Sequence, residues 1–116
     1  MAWSAPVSTL VTGSSSTIDC GSVGTGRLIE VSVFAENTVA ALGGVTVDGK
    51  PCSNVAHAAH TNGDNAVHIW IIDESALGAS SGNVTLAITG WAADMVAVVN
   101  RYTSGNGLLS AVAATR

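Results

Sequence analysis

Charge is what this 116-residue chain has least of. Lys50 is its only lysine, and acidic and basic residues together make up 10% of the sequence, against about 25% in an ordinary soluble domain. No cluster of basic residues occurs, and the formal net charge is −4. Neutralisation of phosphates therefore cannot drive binding, which argues against a nucleic-acid partner. Long apolar runs are missing too, because Ser, Thr, Asn, Asp or Gly interrupts every stretch before the roughly 20 residues that a membrane-crossing helix needs. Two cysteines, Cys20 and Cys52, are too few for a disulfide scaffold, and two free thiols are expected. Residues 1–6 have neither a positive start nor an apolar core, so no export signal is read there.

What the chain does have is small polar and permissive residues: 13 Ser, 11 Thr and 13 Gly. With 47% apolar residues it has ample material for a core, and its length suits one domain over residues 1–116. A short arm over residues 1–6 and a tail over 103–116 are expected to flank the folded part.

Alternation with period two recurs in short segments bounded by turn formers, whereas helical periodicity is nearly absent. In residues 27–36, Ile29, Val31, Val33 and Ala35 alternate with Leu28, Glu30, Ser32 and Phe34. Val84, Leu86 and Ile88 alternate with Thr85, Ala87 and Thr89 in the same way. Asp48-Gly49 after Val45-Thr46-Val47 predicts a tight type I′ hairpin, with Pro51 at an edge or strand start. Two segments are apolar on both faces. In 67–72, Val67, Ile69 and Ile71 oppose Trp70 and Ile72 beside His68, and in 95–99, Met95, Ala97 and Val99 oppose Val96 and Val98. Such strands must be covered twice. A first strand is expected over residues 7–11, with Thr17-Ile18 as a further candidate. The fold class is therefore all-β: an antiparallel β-sandwich, immunoglobulin-like or jelly-roll-like, of six to eight short strands, with serine and threonine on the outward faces.

Candidates for chemistry are few. His57, His60, Asp64 and His68 are metal-ligand types within twelve residues, but three of them fall in an apparent Ala/Asn/Gly loop without recognisable spacing. They are read as solvated or interface side chains, and no metal or other cofactor is expected. Asp73-Glu74 reads as the start of a turn, since neighbouring strand residues face opposite ways. No Gly-x-Ser-x-Gly elbow is present. The glycine-rich residues 21–26 precede a strand and lack the helix and lysine of a phosphate-binding loop. Asn83-Val84-Thr85 forms a glycosylation sequon inside a strand. Trp3, Trp70 and Trp91 are expected in the core or a subunit interface, or, if exposed together, as a sugar-stacking platform. No catalytic residue is assigned, and the chain is not read as an enzyme.

The order of Gly26-Arg-Leu-Ile-Glu-Val-Ser-Val, Gly43-Gly-Val-Thr-Val-Asp-Gly-Lys, Val67-His-Ile-Trp-Ile-Ile and Ser81-Gly-Asn-Val-Thr-Leu-Ala-Ile resembles β-sandwich domains of tailed-phage virion proteins and related prophage or surface proteins. The resemblance spans residues 27–100. It implies a structural role on a virion: a bacteriophage capsid decoration (cement) protein made in the host cytoplasm, a homo-oligomer with a homotrimer favoured, seated on the major capsid protein and stabilising the shell. The alternative is a carbohydrate-binding or adhesin module of a phage tail or cell surface.

Overall fold

A computed structural model describes residues 4–36, 43–59, 65–91 and 95–104. The strands are β1 (Val7–Val11), β2 (Ser15–Asp19), β3 (Arg27–Glu36), β4 (Gly44–Val47), β5 (Lys50–Pro51), β6 (Ser53–Ala59), β7 (Asn65–Asp73), β8 (Asn83–Thr89) and β9 (Met95–Thr103), with one helical turn, α1 (Glu74–Leu77), after β7. They build two antiparallel sheets, a five-stranded one ordered β1-β9-β3-β7-β6 and a four-stranded one ordered β2-β8-β4-β5.

The pairing is nested: β1 with β9, β2 with β8, β3 with β7, and β4 with β5 at the centre. One long antiparallel ribbon rolled over itself gives this order, which makes the sandwich a jelly roll with β6 added outside β7. The all-β sandwich expectation holds, with nine strands where six to eight were expected. Part of the difference lies at Cys52, where the return of the Asp48-Gly49 hairpin divides: β5 stays in the four-stranded sheet and β6 joins the other. Both hairpin centres have positive φ, 53° at Asp48 and 74° at Gly49, as a type I′ turn requires.

The core lies between the sheets. Ile29, Val31, Val33 and Ala35 of β3 and Met95, Ala97 and Val99 of β9 meet Val45, Val47, Leu86 and Ile88 of the opposite sheet, all buried. These are the inward sets that alternation picks out. Ser4, in the expected arm, is fastened to the end of β9: its N–H donates to Thr103 O at 2.8 Å, and its hydroxyl lies 2.9 Å from Thr103 Oγ1.

One end of the sandwich is closed by a buried charge that the sequence reading did not single out. Arg27, at the start of β3, has no exposed surface. Its Nε and Nη2 donate to Glu74 Oε1 and Oε2, both at 2.8 Å, in a bidentate pair. Nη1 donates to Ser80 O at 2.6 Å and Cys20 O at 3.2 Å, and Nη2 to Gly78 O at 3.3 Å. Glu74 is aimed by α1, whose N-cap Asp73 accepts from Ala76 N–H at 3.0 Å and whose Leu77 is buried. The same carboxylate accepts from the N–H groups of Gly24 and Arg27, both at 3.2 Å, so the glycine-rich loop wraps an acidic side chain of its own chain. Ser80 extends the network: its hydroxyl accepts from Lys50 Nζ and donates to Asp48 Oδ2 at 2.6 Å.

Removing one partner of a buried pair strands the other, at a cost of about 3–5 kcal/mol. Arg27→Ala should therefore lower Tm by more than about 10 °C in a domain of this size. Arg27→Lys should recover little of it, because one ammonium cannot serve both carboxylate oxygens and three carbonyls. Thermal unfolding followed by circular dichroism checks both, and a shift of a degree or two would show the pair to be dispensable.

The Arg27 guanidinium, with the two backbone N–H donors, holds Glu74 at a pKa of about 2 against an ordinary 4.5. A lowered folded-state pKa makes this contribution complete above about pH 4.5 and removes it as pH falls towards 2, a loss of about 3 kcal/mol. Urea midpoints should fall across that window in the wild type, and Glu74→Gln should flatten the fall.

Candidate association surface

The two outer faces of the sandwich differ in kind. On the four-stranded sheet the outward positions are Ser15, Thr17 and Asp19 of β2, Asn83, Thr85, Ala87 and Thr89 of β8, and Thr46 of β4. Hydroxyls and amides keep that face wet with little charge, as expected for the outward positions.

The five-stranded sheet departs from that expectation. Registers across β1-β9-β3-β7-β6 place Leu10, Val98, Ser32, Ile69 and Ala56 in one outward row. The next row holds Val96, Phe34, Val67 and Ala58. Leu10 is 66% and Phe34 41% exposed. Eight of these nine positions are apolar, and cross-strand neighbours at such spacing form a continuous field. On the other side of the Ser32 row runs a polar one: Ser8 Oγ donates to Asn100 Oδ1, and Asn100 Nδ2 donates to Glu30 Oε1 at 3.3 Å. β7 is the doubly apolar strand of the sequence, and its faces are now assigned. Ala66, His68 and Ile72 are buried, Trp70 packs partly buried against the core, and Val67, Ile69 and Ile71 face outward.

The candidates for chemistry take structural places. His57 lies on β6, not in a loop, directly across from the buried His68 of β7; His60 and Asp64 lie outside the described residues. Among the described residues no group of three His, Cys, Asp or Glu side chains is placed to hold a metal ion. Asp73 caps α1 and Glu74, the first residue of that helix, turns inward to Arg27, so the two carboxylates part at the cap of a helix and not by the alternation of a strand. Trp91, like Trp70, packs partly buried against the core, and Trp3 lies outside the described residues. An open depression of about 490 Å³ at one end is lined by Asp19, Gly21, Ser22, Ser81, Arg101 and Thr103. Its two charges serve each other: Arg101 Nη1 donates to Asp19 O at 2.7 Å and lies 3.3 Å from Asp19 Oδ1. The Gly21 N–H and this guanidinium hold the Asp19 carboxyl below its usual range.

Cys20 and Cys52 are free and buried. Burial pushes both thiols up, Cys52 to about 12, which leaves almost no thiolate for nucleophilic attack near neutrality. Iodoacetamide should therefore label neither cysteine in the folded protein and both in denaturant. Mass spectrometry reads the count, and labelling of the native protein as fast as of the unfolded one would contradict this burial. Set against models of protein families, curated proteins and solved structures, the chain matches none.

Proposed function

We propose that this chain is a non-enzymatic virion structural protein, a capsid decoration protein that lies on the outer head surface and stabilises the shell. The observation that carries the reading is the contrast between the two outer faces: one is mostly hydroxylated and compatible with water, the other an apolar field in which the large side chains Leu10 and Phe34 are exposed. An apolar patch spread over several strands of a small domain marks a surface that works by contact. In a particle such contacts recur many times, so that a weak individual contact becomes a strong collective one. The low charge fits the same picture, since a subunit held among neighbours depends little on charge to stay dispersed. Jelly rolls serve both capsids and lectins, so the fold alone does not choose between them. The positions of Trp70 and Trp91 favour the structural role: both pack partly buried against the core, whereas a sugar-stacking platform needs exposed rings.

The test is a comparison of particles assembled with and without the protein. Those carrying it should hold it in stoichiometric, lattice-like copies on the head. Those lacking it should release their contents at lower temperature or milder osmotic shock. Particles equally robust without it, together with saturable binding on a glycan panel, would overturn this reading in favour of the carbohydrate-binding module.

A further inference from the structure

We propose that the Asp48-Gly49 turn is a site at which the chain modifies its own backbone, and that Ser80 and Lys50 hold it unreacted. The modification is isomerisation of the aspartate, with water as the only co-reactant. It does not depend on the virion reading.

The chemistry is set by the pair itself. Asp48-Gly49 is the single Asp-Gly step of the chain, and a glycine, having no side chain, leaves its nitrogen open to the carboxyl group before it. Both residues are exposed, and a Cβ placed on Gly49 would meet nothing within 4 Å. In the reaction the Gly49 nitrogen attacks Cγ of the neutral Asp48 carboxyl. An N–Cγ bond forms, a Cγ–O bond breaks, and that oxygen leaves as water with its own proton and the amide proton. The cyclic imide then takes up one water. Breaking the new N–Cγ bond restores aspartate. Breaking the bond from nitrogen to the main-chain carbonyl carbon of Asp48 instead leaves a chain that runs through the side chain, longer by one backbone carbon and unchanged in composition.

The structure opposes the first step, which needs Cγ and the Gly49 nitrogen to swing together. Asp48 Oδ2 accepts from Ser80 Oγ at 2.6 Å and lies 3.8 Å from Lys50 Nζ, and Lys50 Nζ donates to the same hydroxyl. Ser80 is a fixed partner. It is buried, its N–H donates to Leu77 O at 3.0 Å, and its carbonyl accepts from Arg27 Nη1 at 2.6 Å. The carboxylate is thereby tied to the closed end of the sandwich and kept off its own backbone. The main chain is held as well: Asp48 N–H donates to Thr85 O at 2.8 Å, and the pairing of Val47 with Lys50 closes the turn. An extra backbone carbon here would break that pairing at the hairpin whose return divides between the two sheets.

The test is a long warm incubation of the folded chain in heavy-oxygen water. Each passage through the imide leaves one solvent oxygen at residues 48–49, which tandem mass spectrometry of a digest locates, and the same chain unfolded in denaturant gives the unrestrained rate. Folded wild type should react far more slowly than unfolded. Ser80→Ala, which keeps the Ser80 carbonyl for Arg27, should raise the folded rate on the order of tenfold, the weight of one hydrogen bond to a charged group. Lys50→Met, at a partly exposed position, should raise it in the same direction. Ile88→Val lowers stability in the core without touching the turn and should leave the rate unchanged. Acceleration in Ser80→Ala alone would strike Lys50 from the guard and keep the hydroxyl. The proposal is overturned if both variants stay as slow as wild type, if Ile88→Val accelerates as much as Ser80→Ala, or if folded wild type reacts as fast as unfolded.

Discussion

The Arg27–Glu74 pair is the constraint on which this end of the jelly roll depends. A guanidinium without exposed surface is tolerated only if every donor finds an acceptor, because burying an unpaired charge costs far more than this fold has to spare. Glu74 takes two of the five N–H donors, and the carbonyls of Cys20, Gly78 and Ser80 take the other three. Those carbonyls belong to the exit of β2 and to the link between α1 and β8, so one side chain at the start of β3 ties together two of the crossovers between the sheets. The four-residue helix follows from the same requirement. Too short to be stable alone, it is held by Asp73 at its cap and by Leu77 in the core, and it presents Glu74 at the one place where a carboxylate is needed.

Apolar strands raise a separate problem, that of register. Because side chains alternate with period two, a one-residue slip normally exposes a core face and is forbidden. β7 and β9 are apolar on both faces, so hydrophobicity alone punishes a slip weakly. Polar contacts supply the missing specificity. Arg27 fixes the start of β3, and the Ser8–Asn100–Glu30 chain pins β1, β9 and β3 in one row. At the other edge the register shift between Asn54 and Ala56 is filled by the Asn54 amide, which donates to Ile69 O at 3.2 Å. A bulge held in this way also blunts an edge strand.

Much of the fold was legible in the sequence because alternation reports burial directly. The inward sets of β3, β8 and β9 and the Asp48-Gly49 hairpin are written as local patterns, and the doubly apolar character of β7 was plain. What could not be read depends on non-local pairing. Nothing near Arg27 announces Glu74, 47 positions away; the only cue was Asp73 followed by Gly78, the cap signals of a helix too short to show periodicity. The same limit made His57 pass for loop, since the Ala and Asn around it are poor strand formers and only pairing with β7 makes β6 a strand there. The nature of the association surface was half legible: β7 declared two apolar faces, but which face met water required the partner strands.

The contrast between the outer faces follows from where each sheet spends its polar residues. In the four-stranded sheet every outward β-branched position is threonine, which keeps the shape that favours a strand while adding a hydroxyl for water. In the five-stranded sheet the equivalent positions of β7 and β9 are valine and isoleucine, which have the same strand preference without the hydroxyl. Strand stability therefore cannot account for the difference, because threonine would serve it on either side. On the proposed reading, a face left apolar where threonine would fold as well recovers free energy when that face is covered. At about 25 cal/mol per Å², covering even half of it offsets several kcal/mol of association cost. The proposed role in an assembly thus gives the outer field a use that strand formation in the isolated domain does not.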